Sequence, residues 1–375
     1  MVMLGGIIGA QLATNPAFAT LPLSMMVVAV AATTIPATML MKRIGRRKAC
    51  AIASVSAVAA LILAVVALRE ASFPIFILAV MIFGINMAFT QQYRYFAAES
   101  VTSKYVPRAI SLVLVGSIGA AFVGKEIATR GEYWIGDTQF AGSLLALAAM
   151  FVVQALLFFA MEPAKEHEEI ENKVSERSLK EIVFQPVFIV AVLGATAGWG
   201  LMTLVMTATP LSMHIADGYT LEQTSSVIKA HILGMYVPSL FAGFIIEKIG
   251  VTKLMFLGTL GLLATSIIGL QGHTVLHYWW ALVLLGVGWN FSYVGGTTML
   301  TYTYSMAERF RAQAVNEFLI FGTSATASLL AGTVMYFFGW GTLMLIPIPV
   351  LIIIGMALFL IRKDKMLLTK GRLSD

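Results

Sequence analysis

Phe83-Gly84-Ile85-Asn86-Met87-Ala88-Phe89-Thr90-Gln91-Gln92-Tyr93-Arg94-Tyr95-Phe96-Ala97-Ala98-Glu99 opens in an apolar run, grows steadily more polar and ends on an acid. It carries Arg94, the one arginine that falls well inside a run of membrane-spanning length. A related piece recurs 204 residues later, where Gly288-x-Asn290-x-x-Tyr293 matches Gly84-x-Asn86-x-x-Phe89. Two further matches keep nearly the same offset: Ile44-Gly45 with Ile249-Gly250, and Arg108-Ala109 with Arg311-Ala312. Three matches in order, on either side of a charged central segment, indicate two related halves.

Composition sets the solvent. Of 375 residues, 59% are hydrophobic and 12% charged, with a mean hydropathy of +0.86. A soluble domain carries about 25% charged residues, so these charges cannot coat a water-exposed surface. The many apolar runs of roughly 20 residues make the chain an all-α polytopic membrane protein. The 32 glycines suit close helix contact, where lipid gives no hydrophobic drive to association. The net charge of +6 does not point to nucleic acid, because the basic residues sit in short loops where membrane orientation explains them. Cys50, the single cysteine, can form no internal disulfide. The start has no charged region or cleavage site of a signal peptide.

Residues 1–12 are apolar but reach only about 18 Å of a roughly 30 Å hydrocarbon core. They read as the end of a first helix that is incomplete in this chain. Spans are predicted near 18–41, 49–68, 74–97, 108–128 and 140–161, then near 187–213, 225–247, 254–271, 277–303, 312–337 and 341–361. The expected domains are an N-terminal bundle (1–161), a charged linker (162–186), a C-terminal bundle (187–361) and a polar tail (362–375). Twenty Lys and Arg residues fall on the side of the linker and tail, four on the other, and Arg94 lies within a span. The basic side is expected to be cytoplasmic, so the C-terminus lies inside.

Asn86 and Asn290 fall near the middle of their spans. An amide there needs a partner, since an unmet one costs several kcal/mol in hydrocarbon. Either each ties a neighbouring helix or both line a central cavity. Helical spacing puts Asn86, Thr90 and Tyr93 on one stripe, with Arg94 beside it. A charge within a span marks a functional site, unless it snorkels to the headgroups. Glu99, five residues on, is an imperfect helical partner for Arg94, so another helix or a solute is expected to satisfy it. Trp199, Trp289 and Tyr293 fall near mid-span and either pack or stack on a flat solute ring. Lys125, Glu126, Lys229 and His231 lie toward the other face and are candidates for proton coupling, a gate or a plain salt bridge. Glu317 is placed at the cytoplasmic interface near Arg309 or Arg311. No phosphate-binding loop, HExxH, Gly-x-Ser-x-Gly or cysteine cluster is present, so neither an enzyme nor a bound cofactor or metal is expected.

Leu40-Met41-Lys42-Arg43-Ile44-Gly45-Arg46-Arg47, together with the two halves and the central linker, resembles the major facilitator superfamily. That family carries a Gly-x-Leu-x-Asp-Arg-x-Gly-Arg-Arg motif between helices two and three. Lys42 stands here where the family has its acid, and Thr38 where it has its first glycine. The second-half loop, Gly243-Phe244-Ile245-Ile246-Glu247-Lys248-Ile249-Gly250, keeps the acid and one base. The resemblance implies two six-helix bundles, a pathway lined by helices one, four, seven and ten, and a cytoplasmic latch. The latch falls on Arg43, Gly45, Arg46, Arg47, Glu247, Lys248 and Gly250. Gln92-Tyr93-Arg94-Tyr95-Phe96-Ala97-Ala98-Glu99 is similar to the end of helix four in a bacterial permease group close to the riboflavin importers of the superfamily. Lys125 stands where drug/proton antiporters have the proline of a Gly-x-x-x-Gly-Pro motif.

The expectation is a monomeric, multi-pass permease of the bacterial inner membrane. It would move a small organic solute by secondary active transport and alternating access, with riboflavin uptake as the named candidate. Its partners are the solute and the lipid bilayer, not nucleic acid. The alternatives are an exporter of drugs or metabolites and a transporter-like protein that no longer transports.

Overall fold

The computed structural model describes residues 2–14, 18, 21–136, 138–161, 177–364 and 367. The elements of the first part are α1 (Val2–Leu12), α2 (Leu21–Ile44), α3 (Arg46–Arg69), α4 (Phe73–Thr90), α5 (Tyr93–Glu99), α6 (Val106–Arg130) and α7 (Ala141–Ala160). After the linker come α8 (Leu179–Val183), α9 (Pro186–Pro210), α10 (Leu221–Tyr236), α11 (Ser239–Ile249), α12 (Val251–Gln271), α13 (Val275–Thr301), α14 (Arg309–Leu345) and α15 (Pro347–Ile361). No strand occurs among the described residues.

Among the described residues, seven helical stretches are long and apolar enough to cross a membrane, or eight when the bent pair α10–α11 counts as one span. The stretch Arg309–Ile361 is 53 residues long and is interrupted at Gly339 (φ 74°, ψ 176°). At 1.5 Å per residue it measures about 80 Å, enough for two crossings of a roughly 30 Å core. Helix α13 has 27 residues, but its Asn, Ser, Gly and Thr residues dilute its apolar character. Every span predicted from residue 18 onward coincides with one of these helices or with a broken pair.

The breaks have local causes. Pro238 has no N–H to continue the helix, and α10 and α11 meet there at 40°. Pro210 ends α9, and Leu211–Ala216 continues it as a π-helical turn. The predicted span 74–97 is divided by a turn at Gln91–Gln92 into α4 and α5. The halves share one backbone device. Gly45 joins α2 to α3 with φ 83° and ψ 154°, and Gly250 joins α11 to α12 with φ 88° and ψ 154°. Only glycine adopts that region without strain, which is why the Ile-Gly pair recurs.

The chain forms two compact units, Met1–Tyr93 with Gly119–Ser175, and Arg94–Ile118 with Glu176–Asp375. The first has a core rich in alanine, with Ala57, Ala60, Ala64 and Ala79 against Leu61, Phe76, Phe83 and Leu144. Small residues let backbones approach where lipid offers no competing hydrophobic drive. Gly84 shows the limit: a Cβ there would lie 2.6 Å from the Met26 carbonyl oxygen on α2. The second unit centres on Tyr95, Ile110, Val187, Phe188, Leu254, Val294, Met299 and Leu358. The short helix α5 therefore packs with elements of the C-terminal sequence half.

Candidate functional site

Arg94 does not snorkel. Its side chain is 2% exposed and forms an ion pair with Glu317 of α14, itself 1% exposed. Arg94 Nε also donates to Thr297 Oγ1 on α13 (3.2 Å), and the guanidinium lies over the rings of Tyr95 (4.5 Å) and Tyr293 (4.4 Å). Glu317 Oε1 collects three donors: Arg94 Nη2, the Tyr95 hydroxyl (3.0 Å) and Asn316 Nδ2 (2.7 Å). Asn316 Nδ2 reaches the Tyr95 oxygen as well (2.8 Å). The other carboxylate oxygen, Glu317 Oε2, has no hydrogen-bond partner among the described residues. Burying both charges is tolerable only because they are paired and fixed by further hydrogen bonds.

The partner of Glu317 is therefore Arg94 of α5, not Arg309 or Arg311 as expected. The first turns of α14 are buried, and Arg309, Gln313, Asn316 and Glu317 form one stripe at i, i+4, i+7 and i+8. The stripe faces α5: Gln313 donates to Glu99 Oε1 (3.1 Å), and Arg309 lies 3.6 Å from Glu99 Oε2. Polar contacts thus run from the partly buried Glu99 to the fully buried Glu317. The spacing was readable in sequence, but it does not reveal that α5 is the partner.

Beside Arg94 lies an aromatic nest. Trp289 and Tyr293 stack at 5.1 Å, and Trp199 of α9 meets both edge-on at 5.2 and 5.5 Å. Phe321 and Tyr236 close two further sides. Trp289 and Tyr293 are buried, while Trp199 is half-buried and so keeps part of its ring open. Trp289 Nε1 has no hydrogen-bond partner among the described residues. Of Trp199, Trp289 and Tyr293, only Trp199 keeps surface open to a planar molecule; the other two and the Arg94–Glu317 pair are buried beside it.

The two mid-span amides serve their own units. Asn86 Nδ2 donates to the Ala53 carbonyl on α3 (2.8 Å), and Asn290 Nδ2 to the Met235 carbonyl on α10 (2.7 Å) and to Ser239 Oγ (2.5 Å). Their donors are therefore engaged by neighbouring helices. Nor do the two occupy equivalent places. The matching glycine junctions make α3 the counterpart of α12, yet Asn86 reaches α3 and Asn290 reaches α10. Gly84 instead lies against α2, and Gly288 against Gly258 and Leu262 of α12. Residues two apart on a helix differ by about 200°, so the Gly-x-Asn pair touches two opposite neighbours, and in the second half it does so the other way round. Asn86→Ala and Asn290→Ala are each expected to lose roughly 0.6–1.7 kcal/mol of stability in thermal unfolding. An unchanged melting curve in both would remove the tie.

Tyr93 accepts from Gln154 Nε2 (2.8 Å), which also donates to Ser54 (2.9 Å), and Thr90 is exposed. Gln92, beside them, is 1% exposed, and neither of its polar atoms has a partner among the described residues. His231 is buried with Nδ1 2.8 Å from the Leu282 carbonyl, while Lys229 is exposed. The side chains of Lys125 and Glu126 lie outside the described residues.

The residues expected to form a latch make different contacts in the two halves. Arg47 donates to the Met161 carbonyl (2.6 Å) at the end of α7, where the helix dipole favours a cation. Arg46 is buried against Met41, and Arg43 is exposed. Glu247 pairs with Arg108 of α6, whose guanidinium lies 4.5 Å from the Phe244 ring, while Lys248 is exposed.

Arg177 holds the linker's C-terminal end onto the α13–α14 turn. Its guanidinium grips both oxygens of Glu308 (2.8 and 2.6 Å) and the Thr303 carbonyl (3.0 Å). These bonds hold the Glu308 carboxyl down at about 2, chiefly through Arg177. A depressed carboxylate contributes stability above its unfolded value and loses it as pH falls through the folded one. Hydrogen-exchange protection of α8 is therefore expected to be full above about pH 4.5 and to fade toward about 2. Arg177→Ala should remove that pH dependence; protection indifferent to both would sink the assignment.

The sequence pattern of the Major Facilitator Superfamily matches residues 1–228 and 202–372. Over 367 residues the chain is 35% identical to the riboflavin transporter RfnT of Brucella anthropi, covering 97% of this chain and 92% of that protein. It is 25% identical over 360 residues to the uncharacterized MFS-type transporter YdeG of Bacillus subtilis, covering 89% and 81%. Its fold is similar to that of the proton:xylose symporter XylE, with a TM-score of 0.79 at 12% identity, covering 100% and 95%. The chain belongs to the major facilitator superfamily: it is a multi-pass membrane transporter with that superfamily's all-helical fold, and it is not an enzyme.

Proposed function

We propose that this chain imports riboflavin across a bacterial inner membrane by alternating access, as a secondary active transporter with its C-terminus in the cytoplasm. The observation that carries this reading is the 35% identity to a protein named as a riboflavin transporter, sustained over 97% of the chain. The aromatic nest of the second unit supports it. A flavin ring is flat and suits stacking on the open part of Trp199. The ribityl hydroxyls are donors suited to Glu317 Oε2, an acceptor with no partner among the described residues. The excess of Lys and Arg on the linker side supports the orientation.

The test is growth of a riboflavin-auxotrophic bacterium on low external riboflavin, with labelled uptake measured with and without an uncoupler. Expression of this chain is expected to restore growth, and the uncoupler to slow accumulation. Failure to rescue, with the protein present in the membrane, would end the flavin assignment.

A further inference from the structure

A second binding feature lies away from the aromatic nest, in a groove between the ends of α12 and α15. Its volume is about 360 Å³, and its walls are mainly Phe256 and Leu257 on one side and Leu358 and Phe359 on the other. Phe256, Leu257 and Phe359 are exposed, as expected of a surface that faces acyl chains. Two cations stand at one end. Lys253 lies in the first turn of α12, and Arg362 follows the last residue of α15. Both are exposed, and neither has an acidic partner among the described residues. Arg362 is already oriented, with its guanidinium 3.3 Å from the Phe359 ring centre and donating to the Phe359 carbonyl (3.2 Å).

We propose that this groove binds one anionic glycerophospholipid, with its phosphate between Lys253 and Arg362 and an acyl chain along Phe256, Leu257 and Phe359. Charge complementarity selects the occupant. An apolar groove in a membrane is filled by some lipid chain, but two cations without an acidic partner among the described residues, at the chain's polar end, favour a net negative headgroup. A choline headgroup would bring a third cation to the same place. Arg362 also offers its planar fork to phosphate oxygens, and Lys253 a point charge. Both cations belong to the basic side of the chain, so the lipid sits in the leaflet that faces those loops.

The test uses the full chain, purified in detergent and exchanged into micelles holding phosphatidylglycerol and phosphatidylcholine of identical chains. Native mass spectrometry counts the lipid retained. The wild-type protein is expected to retain one phosphatidylglycerol in preference to phosphatidylcholine. Lys253→Gln/Arg362→Gln should lower that preference about thirtyfold, as two near-surface cations imply. Lys42→Gln/Lys104→Gln removes as much charge from the same side outside the groove and should leave the preference intact. Equal loss in both variants would mean diffuse surface attraction and would overturn the site, as would an unchanged preference in the groove variant. Displacement of the lipid by millimolar inorganic phosphate would reassign the groove to a free anion.

Discussion

Arg94→Ala is expected to destabilise the protein by about 3–5 kcal/mol and to abolish uptake. The loss follows from what remains. Glu317, 1% exposed on its side chain, would keep its Tyr95 and Asn316 donors but lose its only ion-pair partner among the described residues. A buried, uncompensated carboxylate is far costlier than an absent one. The double variant Arg94→Met/Glu317→Leu should therefore recover most of the lost stability, because an apolar pair of similar volume replaces two buried charges. It should not recover uptake if the pair contacts solute or must part during the cycle. Arg94→Lys should fall between the two, keeping the charge but losing the donors that hold Thr297 and Tyr95. Thermal unfolding and labelled uptake separate these outcomes. Single variants that melt and transport like the wild type would show that the pair carries neither stability nor function.

Trp199→Ala is expected to raise the half-saturating riboflavin concentration about tenfold or more, while Trp199→Phe keeps most of the affinity. Truncation removes a ring that contacts Trp289, Tyr293 and Phe321. Aromatic pairs contribute about 0.5–1.5 kcal/mol beyond the area they bury, and the open part of this ring is the surface offered to a planar solute. Quenching of flavin fluorescence on binding measures the affinity directly, without depending on the transport cycle. An unchanged affinity in Trp199→Ala, with folding intact, would move the solute site elsewhere. Loss of uptake with normal affinity would make Trp199 part of the moving machinery instead.

The spans were legible because hydrocarbon forces backbone groups to pair within a helix, so length and apolar content suffice to find them. The breaks at Pro238 and Pro210 were less so, since proline is tolerated within spans when neighbours satisfy the freed groups. The repeat was legible where backbone conformation demands glycine, as at Gly45 and Gly250. It misled where side chains choose partners. Asn86 and Asn290 match in sequence at one offset, yet the two amides bind non-equivalent neighbours, because the packing of each unit decides which adjacent helix each one reaches.

By itself, the sequence determined that this is a helical membrane protein of two related halves, with one charge too deep to be accidental. Hydrophobicity and periodicity are local properties, and the chain writes them residue by residue. Only the tertiary structure decided that Arg94 meets Glu317, that Tyr95 and Asn316 complete the cluster, and that Trp199, Trp289 and Tyr293 form one nest beside it. Those contacts join residues up to 223 positions apart, and which helix faces reach each other depends on packing that no local pattern encodes.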